Sequence, residues 1–542
     1  MICKTNKNTY LSIFICGLVL SLSFSGFAQN QGKARTKILL IPLDDRPPCL
    51  QFPVRMGLIG DAEIVTPPKE LLGRFTASGK SDKINEWLRN QNVKSFDAAI
   101  VALDMVAYGG LVAMRRHGDT TVAVALERIE VLREIKNRAP TLPVYVQSVI
   151  MRLAPTGDGA NENYREKLAR WAEISPYSES KTETERLERE IPSEVLADYK
   201  RARARDLQIN IKAIEFVKSG VIDYLILSQD DAKLKGIHVA DRERLIAEIN
   251  KLILSEKIAV QPGADEVAML LMARSLNNLH RFSPKIKAVY SSEELANKAM
   301  PFEDRALRET VSFHVKATGA REVADEKQAD LLFYVYASRF EAGRAASFAD
   351  DIAAQIKKGK RVIVADIDPK GDVQGGDTKF TTELGKRNLF RELNGYASWN
   401  TAGNTIGTTL PQGVIFAAAQ AKLIKSKAAA NRIWTAQNWF TFHRILDDYY
   451  YHTLVRAKAK DYIERNKWNS LRLSDEATEK VEEFSRKLML DAFAELSDIY
   501  FGTNKNGLQK NVKCEKPAAM TFDLPWNRTF EAEIDFRLAC EN

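Results

Sequence analysis

Lys37 to Pro48, KILLIPLDDRPP, decides how the chain is read. Apolar, partly β-branched residues from Ile38 to Leu43 describe a buried strand that stops abruptly at two acids, an arginine and two prolines. In α/β proteins the loops at the carboxyl ends of parallel strands build the site. Asp44, Asp45 and Arg46 are therefore the first candidates for chemistry. The alternative is that Asp45 and Arg46 pair with each other or with a neighbouring loop and only fix the turn.

Working outward, the same unit recurs. Glu63 to Thr66 is a short second strand, and Asp97 to Leu103 a third, ending at Asp104 and a turn through Tyr108, Gly109 and Gly110. Val144 to Ile150, with Gln147 inside it, exits at Arg152. Tyr224 to Leu227 runs into Gln229, Asp230 and Asp231, and His238 follows in the next loop. Ile258 to Val260 precedes Pro262-Gly263-Ala264-Asp265-Glu266 at the start of an apolar helix. Strand, acid or amide, then helix, repeated five or six times, predicts an α/β fold. Residues 29–284 are read as a (β/α) barrel-like domain, although a doubly wound sheet satisfies the same periodicity. Between Asn161 and Lys218 the chain is charged and helical in period, a helical insertion or lid near 160–218.

From Ile286 the units shorten, with strands expected at Ala288–Tyr290, Leu331–Tyr336, Val362–Ala365 and Val414–Ala417. This is a second, smaller, flavodoxin-like α/β domain over 285–420. Its loop Trp399-Asn400-Thr401-Ala402-Gly403-Asn404-Thr405 opens a helix and offers amides to an anion or a sugar. A well-satisfied turn is the plainer reading. Residues 421–542 are expected to be a helical region with a short β tail.

Composition sets the address. Lys4 and Lys7 precede an apolar run from Leu11 to Phe27 and a small-residue exit at Ala28, the pattern of a secretory signal peptide over residues 1–28. The protein is expected to be exported, periplasmic or extracellular, with no membrane span. Of five cysteines, Cys3 and Cys16 leave with the signal; Cys514 and Cys540 are placed to form a disulfide and Cys49 to remain a buried thiol. The formal charge of +8, from 79 basic and 71 acidic residues, is small, and no basic stripe interleaved with aromatics is present. Nucleic acid is not an expected partner.

The motifs IPLDDRPP, LDMVAYGG, LSQDD, PGADE, WNTAGNT and LPWNRTFE, in this order and spacing, resemble a bacterial family catalogued as domain of unknown function 4127. The likeness covers nearly all of the chain beyond the signal. It implies that these loops form one site and that the export signal is real; it names no substrate.

If the strands are parallel, their ends gather seven acids on one rim. Asp44, Asp45, Asp230, Asp231, Asp265 and Glu266 are the catalytic candidates. Arg46, Asp104, Tyr108, Arg152, Gln229, Trp399, Asn400 and Asn404 are the candidates for holding substrate. Two carboxylates on one rim are the minimum for glycosidic cleavage, one protonating the leaving oxygen and the other acting as nucleophile or base. An acid beside another acid has its pKa raised and becomes a credible proton donor. The expectation is a carboxylate-dependent glycoside hydrolase acting on a carbohydrate, a polysaccharide or glycoconjugate, with no cofactor. One alternative is a metal-dependent hydrolase in which the acids and His238 bind a hard divalent cation, without an HxH or HExxH to support it. Another is a two-lobed periplasmic ligand-binding protein.

Overall fold

The computed structural model describes residues 36–118, 120–502, 509 and 511–541. The expected signal peptide, residues 1–28, lies outside the described residues.

Six strands form the first sheet: β1 (Thr36–Ile41), β2 (Ala62–Val65), β3 (Ala98–Ala102), β4 (Val144–Ile150), β5 (Tyr224–Gln229) and β6 (Ile258–Pro262). Their order is β2-β1-β3-β4-β5-β6 and every pairing is parallel. β1 shows why both faces are apolar. Ile38 and Leu40 enter one core with the helices Gln51–Ile59 and Val267–His280, while Leu39 and Ile41 enter another with Ile84, Leu132 and Phe216. Side chains alternate between faces along a strand, so a sheet covered on both sides reads as a continuous apolar run.

The barrel expectation is corrected here. β2 and β6 are the two ends of the sheet and do not pair, so the layer is open. Strand-then-helix periodicity is common to both architectures; what separates them is the chain reversing direction of growth at β1, with β2 on one side and β3 on the other. Within the 160–218 segment, helices span Glu162–Ile174, Lys181–Glu190 and Ser193–Lys218. The last is not a lid: Ile209, Ile214 and Phe216 pack in the core on one face of the sheet.

The second sheet has the order β11-β10-β9-β7-β8, also parallel, from β7 (Lys285–Tyr290), β8 (Arg321–Glu322), β9 (Leu331–Tyr336), β10 (Val362–Asp366) and β11 (Gly395–Ala397). The strand expected at Val414–Ala417 lies instead inside the helix Ala402–Lys422, and β11 was not foreseen. That helix is buried on all sides from Ala402 to Ala419, and an apolar run without a polar face carries no period to separate helix from strand. It packs on Val267–His280 and so joins the cores of the two sheets. Long helices follow at Lys427–Ile445 and Asp475–Phe501. In the tail β13 (Ala518–Asp523) pairs antiparallel with β14 (Glu533–Arg537), following β12 (Lys513–Cys514), which pairs with the terminal β15 (Cys540–Glu541). No helix among the described residues is long and apolar enough to cross a membrane.

Cys514 and Cys540 are disulfide-bonded with a sequence separation of 26, and Cys49 is a buried free thiol. Closing a loop of that size restricts the unfolded chain by about 3–4 kcal/mol. Denaturant titration of a Cys540→Ser variant should show a loss of that order, with the slope of the transition rising as the unfolded state expands.

Candidate functional site

Arg46 is the centre of the site. The sharp turn after β1 places it 4% exposed among carboxylates drawn from three distant parts of the chain. Its guanidinium donates to Asp44 (2.7 Å), to both oxygens of Asp265 (2.6 and 3.1 Å) and to Glu531 (3.0 Å). Trp526 covers it, with the guanidinium 4.6 Å from the ring centroid, and donates its indole N–H to Asp45 (2.6 Å). Burial raises the Asp45 carboxyl pKa against that hydrogen bond. Arg528 also donates to Glu531 (2.7 Å). The tail motif LPWNRTFE therefore belongs to the loop after β1, some 480 residues away in sequence.

Beside this cluster a small cleft opens between the strand ends of the two sheets. One wall carries Asp230, Asp231 and Asp265; the other carries Asn400, Thr401 and Asn404, with Phe302 and Glu303 between them. Asp231 and Asn400 both hold left-handed backbone, φ 42° and 55°. Arg115 and Arg152 sit behind the acids: Arg115 pairs with Asp230, and Arg152 with Asp231. Burial alone would raise Asp230, but the two arginines hold it below the usual carboxylate range. Burial pushes Asp265 up to about 6 against the pull of Arg46.

Glu303 differs from these acids in making no ion pair with an arginine or lysine among the described residues, although Arg305 lies near enough to oppose the effect of burial. Gly403 N–H donates to its Oε1 (2.8 Å), and its Oε2 makes no hydrogen bond to any described residue. Burial pushes its pKa to about 8, with Glu266 and Asp231 adding to the effect. Glu266 lies beneath, fully buried, receiving Asn404 Nδ2 (2.7 Å) and Ala264 N–H (3.2 Å) on Oε2. Its Oε1 faces His314 Nε2 at 3.6 Å. Gly263 and Gly407 make this possible, since a methyl group at either would collide with the Glu266 side chain. Gly263 of PGADE and Gly407, just beyond WNTAGNT, are thus explained by close approach to one carboxylate.

The remaining candidates sit elsewhere. Trp399 is a core residue, its indole N–H donating to Thr408 (2.9 Å) and its ring edge-on to Phe52. Gln229 is buried and donates to backbone carbonyls of Ile150 and Asp230. Asp104 receives Val149 N–H (3.1 Å), and burial raises it to about 7; Tyr108 packs under the Arg205 guanidinium. His238 is buried against the Lys233 backbone, apart from the acids. Among the described residues no group of three or more His, Cys, Asp or Glu side chains is arranged to hold a metal ion. Sequence reasoning missed Arg115, Glu303, His314 and Glu531. Glu531 was visible inside a quoted motif, whereas Glu303 follows no strand and carried no signal.

All these motifs fall in one matched span: residues 38–535 match the model of a family described as Protein of unknown function (DUF4127). The chain belongs to that family. No curated protein matches it. In this DUF4127 chain, five of the six motifs by which the likeness was drawn contribute a residue to the Arg46 cluster or to the cleft: Asp44, Asp231, Asp265, Asn400 and Glu531. The sixth, LDMVAYGG, supplies Asp104, buried and receiving Val149 N–H.

Removing the Arg46 charge while keeping its bulk, as in Arg46→Met, strands three buried carboxylates and should cost about 3–5 kcal/mol in denaturant titration. Glu303 gives a pH signature. Its folded pKa of about 8 stands above the ordinary 4.5, so the folded state holds a proton that the unfolded chain has lost. Its contribution is fully present below pH 4.5 and is lost as pH rises through 8. Relative to Glu303→Gln, the wild type should lose stability across that window, and equal pH profiles for the two proteins would refute the assignment.

Proposed function

We propose that the protein is an exported carboxylate-dependent glycoside hydrolase. The observation that carries this reading is a carboxyl that burial pushes up to about 8, Glu303, in the same cleft as Asp230, which two arginines hold below the usual carboxylate range, and Asp231, which is paired with Arg152. Two carboxyl groups with pKa values driven apart are the acid and base of glycosidic cleavage. Glu303 would protonate the departing oxygen, and Asp231, the more open acid with a side chain 39% exposed, would act as nucleophile or accept the proton of the attacking water. Asn400 and Thr401 stand where sugar hydroxyls would be held. Each of Asp44, Asp230, Asp231 and Asp265 is already tied to an arginine, which favours this reading over cation binding. The Cys514–Cys540 disulfide supports export to an oxidising compartment.

The test is hydrolysis of aryl glycosides and of bacterial and host polysaccharides by the purified protein, with and without EDTA. Sugar release that survives EDTA and falls about 100-fold or more in both Glu303→Gln and Asp231→Asn is the expected result. Activity should also decline above about pH 8 as Glu303 loses its proton, a limb that Glu303→Gln would lack. Release abolished by EDTA would favour the metal hydrolase, and tight glycan binding without turnover the ligand-binding protein.

A further inference from the structure

His314 and Glu266 face each other beneath the cleft, and both are 0% exposed. The imidazole Nδ1 lies 2.7 Å from the Thr310 carbonyl, one turn earlier in the helix Leu307–Ala317. A carbonyl only accepts, so Nδ1 carries hydrogen and Nε2 is left with a bare lone pair unless the ring is charged. That Nε2 stands 3.6 Å from Glu266 Oε1, and neither atom makes a hydrogen bond to any described residue. A lone pair against a carboxylate oxygen leaves two buried acceptors unmatched. One proton between them removes the conflict, whether it resides on the ring or on the acid, and makes the pair neutral as a unit.

The charged groups on the surrounding elements point elsewhere. The helix Ala402–Lys422 brings no titratable residue from Ala402 to Ala419. On the His314 helix, Arg308 and Lys316 pair with Glu293 and Glu256, and Glu309 is exposed. On the helix Val267–His280, Arg274 donates to the Lys316 and Ala317 carbonyls, and His280 is at the end opposite Glu266. Arg321 and Glu322 of β8 are exposed, and Glu294 pairs with Lys298.

Glu266 is the link to the cleft. A methyl added at Gly403 would lie 2.9 Å from Glu303 Oε1 and 3.8 Å from Glu266 Oε1, so the two carboxyls flank one glycine. A charge on Glu266 makes the Glu303 proton harder to remove; Asp231 adds to that and Arg305 opposes it. His314 itself is not among the residues lining the cleft. Resting on the reading of Glu303 as the acid, we infer that His314 and Glu266 hold one proton in common, and that His314 is a positioning residue that governs, through Glu266, the charge Glu303 meets as it gives its proton to the substrate.

Replacing His314 by glutamine keeps an N–H donor toward Glu266 but removes the base that shares the proton, leaving a negative carboxylate beneath Glu303. The Glu303 midpoint is read from stability, as the pH at which each protein loses its advantage over the same protein carrying Glu303→Gln, by denaturant titration between about pH 5 and 10. His314→Gln should move that midpoint up by about one pH unit, and should have no effect once Glu266→Gln is present. The alkaline limb of sugar release should move with it. A midpoint that stays or falls in His314→Gln overturns the inference, as does a shift that persists beside Glu266→Gln. In the wild type, ¹⁵N shifts of the His314 ring should show Nδ1 protonated and Nε2 hydrogen-bonded at neutral pH; a free Nε2 overturns it without any variant having to fold. Stability and ring shifts involve no sugar, so the expected changes without glycoside cleavage would remove the proposed function and leave the shared proton standing. Cleavage with an unmoved midpoint would remove the shared proton alone.

Discussion

A guanidinium buried to 4% exposure must be neutralised, because stripping water from an ion costs several kcal/mol that only close, well-aligned counter-charges return. Arg46 meets that requirement with Asp44 from its own turn, Asp265 from the end of β6 and Glu531 from the C-terminal tail. Each partner is expensive to bury alone, so the four charges are stable only together. The consequence is geometric: the first strand of the chain, the last strand of the first sheet and the tail are pinned to one point, and Trp526 closes over it. The cleft lies beside this clamp and inherits its rigidity, since Asp265 belongs to both.

A second constraint works by space rather than charge. Glu266 is fully buried where the helix Ala402–Lys422 begins, and the glycines at 263 and 407 leave the room its side chain fills. The start of that helix turns free amides toward the acids, giving Gly403 N–H to Glu303 and the Asn404 side chain to Glu266. The two sheets therefore meet through hydrogen bonds to two carboxylates, one of which keeps its proton. Asp230, between Arg115 and Arg152, is held below the usual carboxylate range by contrast, and a difference in protonation among chemically similar groups is what acid–base chemistry requires.

The reading of local elements depended on alternation and punctuation. The six strands of the first sheet were legible because each is a short apolar run closed by prolines, acids or glycines, and β4 falls where the residues placed it, Val144 to Ile150. Val414–Ala417 misled because a helix buried all round loses its polar face and with it the 3.6-residue period. Trp399 drew attention beside two amides, yet its indole N–H is satisfied within its own helix start by Thr408. Glu303 was illegible for the opposite reason: it sits in a loop between helices, and nothing in its neighbours marks it.

By itself the sequence determined that the chain is α/β, that acids and amides recur at strand ends, and that Asp230, Asp231 and Asp265 would share a rim, because parallel strands put all their carboxyl ends on one side. Only the tertiary structure decided that the first sheet is open rather than closed, that Arg46 rather than any acid organises the rim, and which carboxyl escapes a cation. Those outcomes turn on strand order and on contacts between residues hundreds of positions apart, such as Arg46 with Glu531. Local periodicity carries no record of them, since it fixes which face of an element is buried and not what it is buried against.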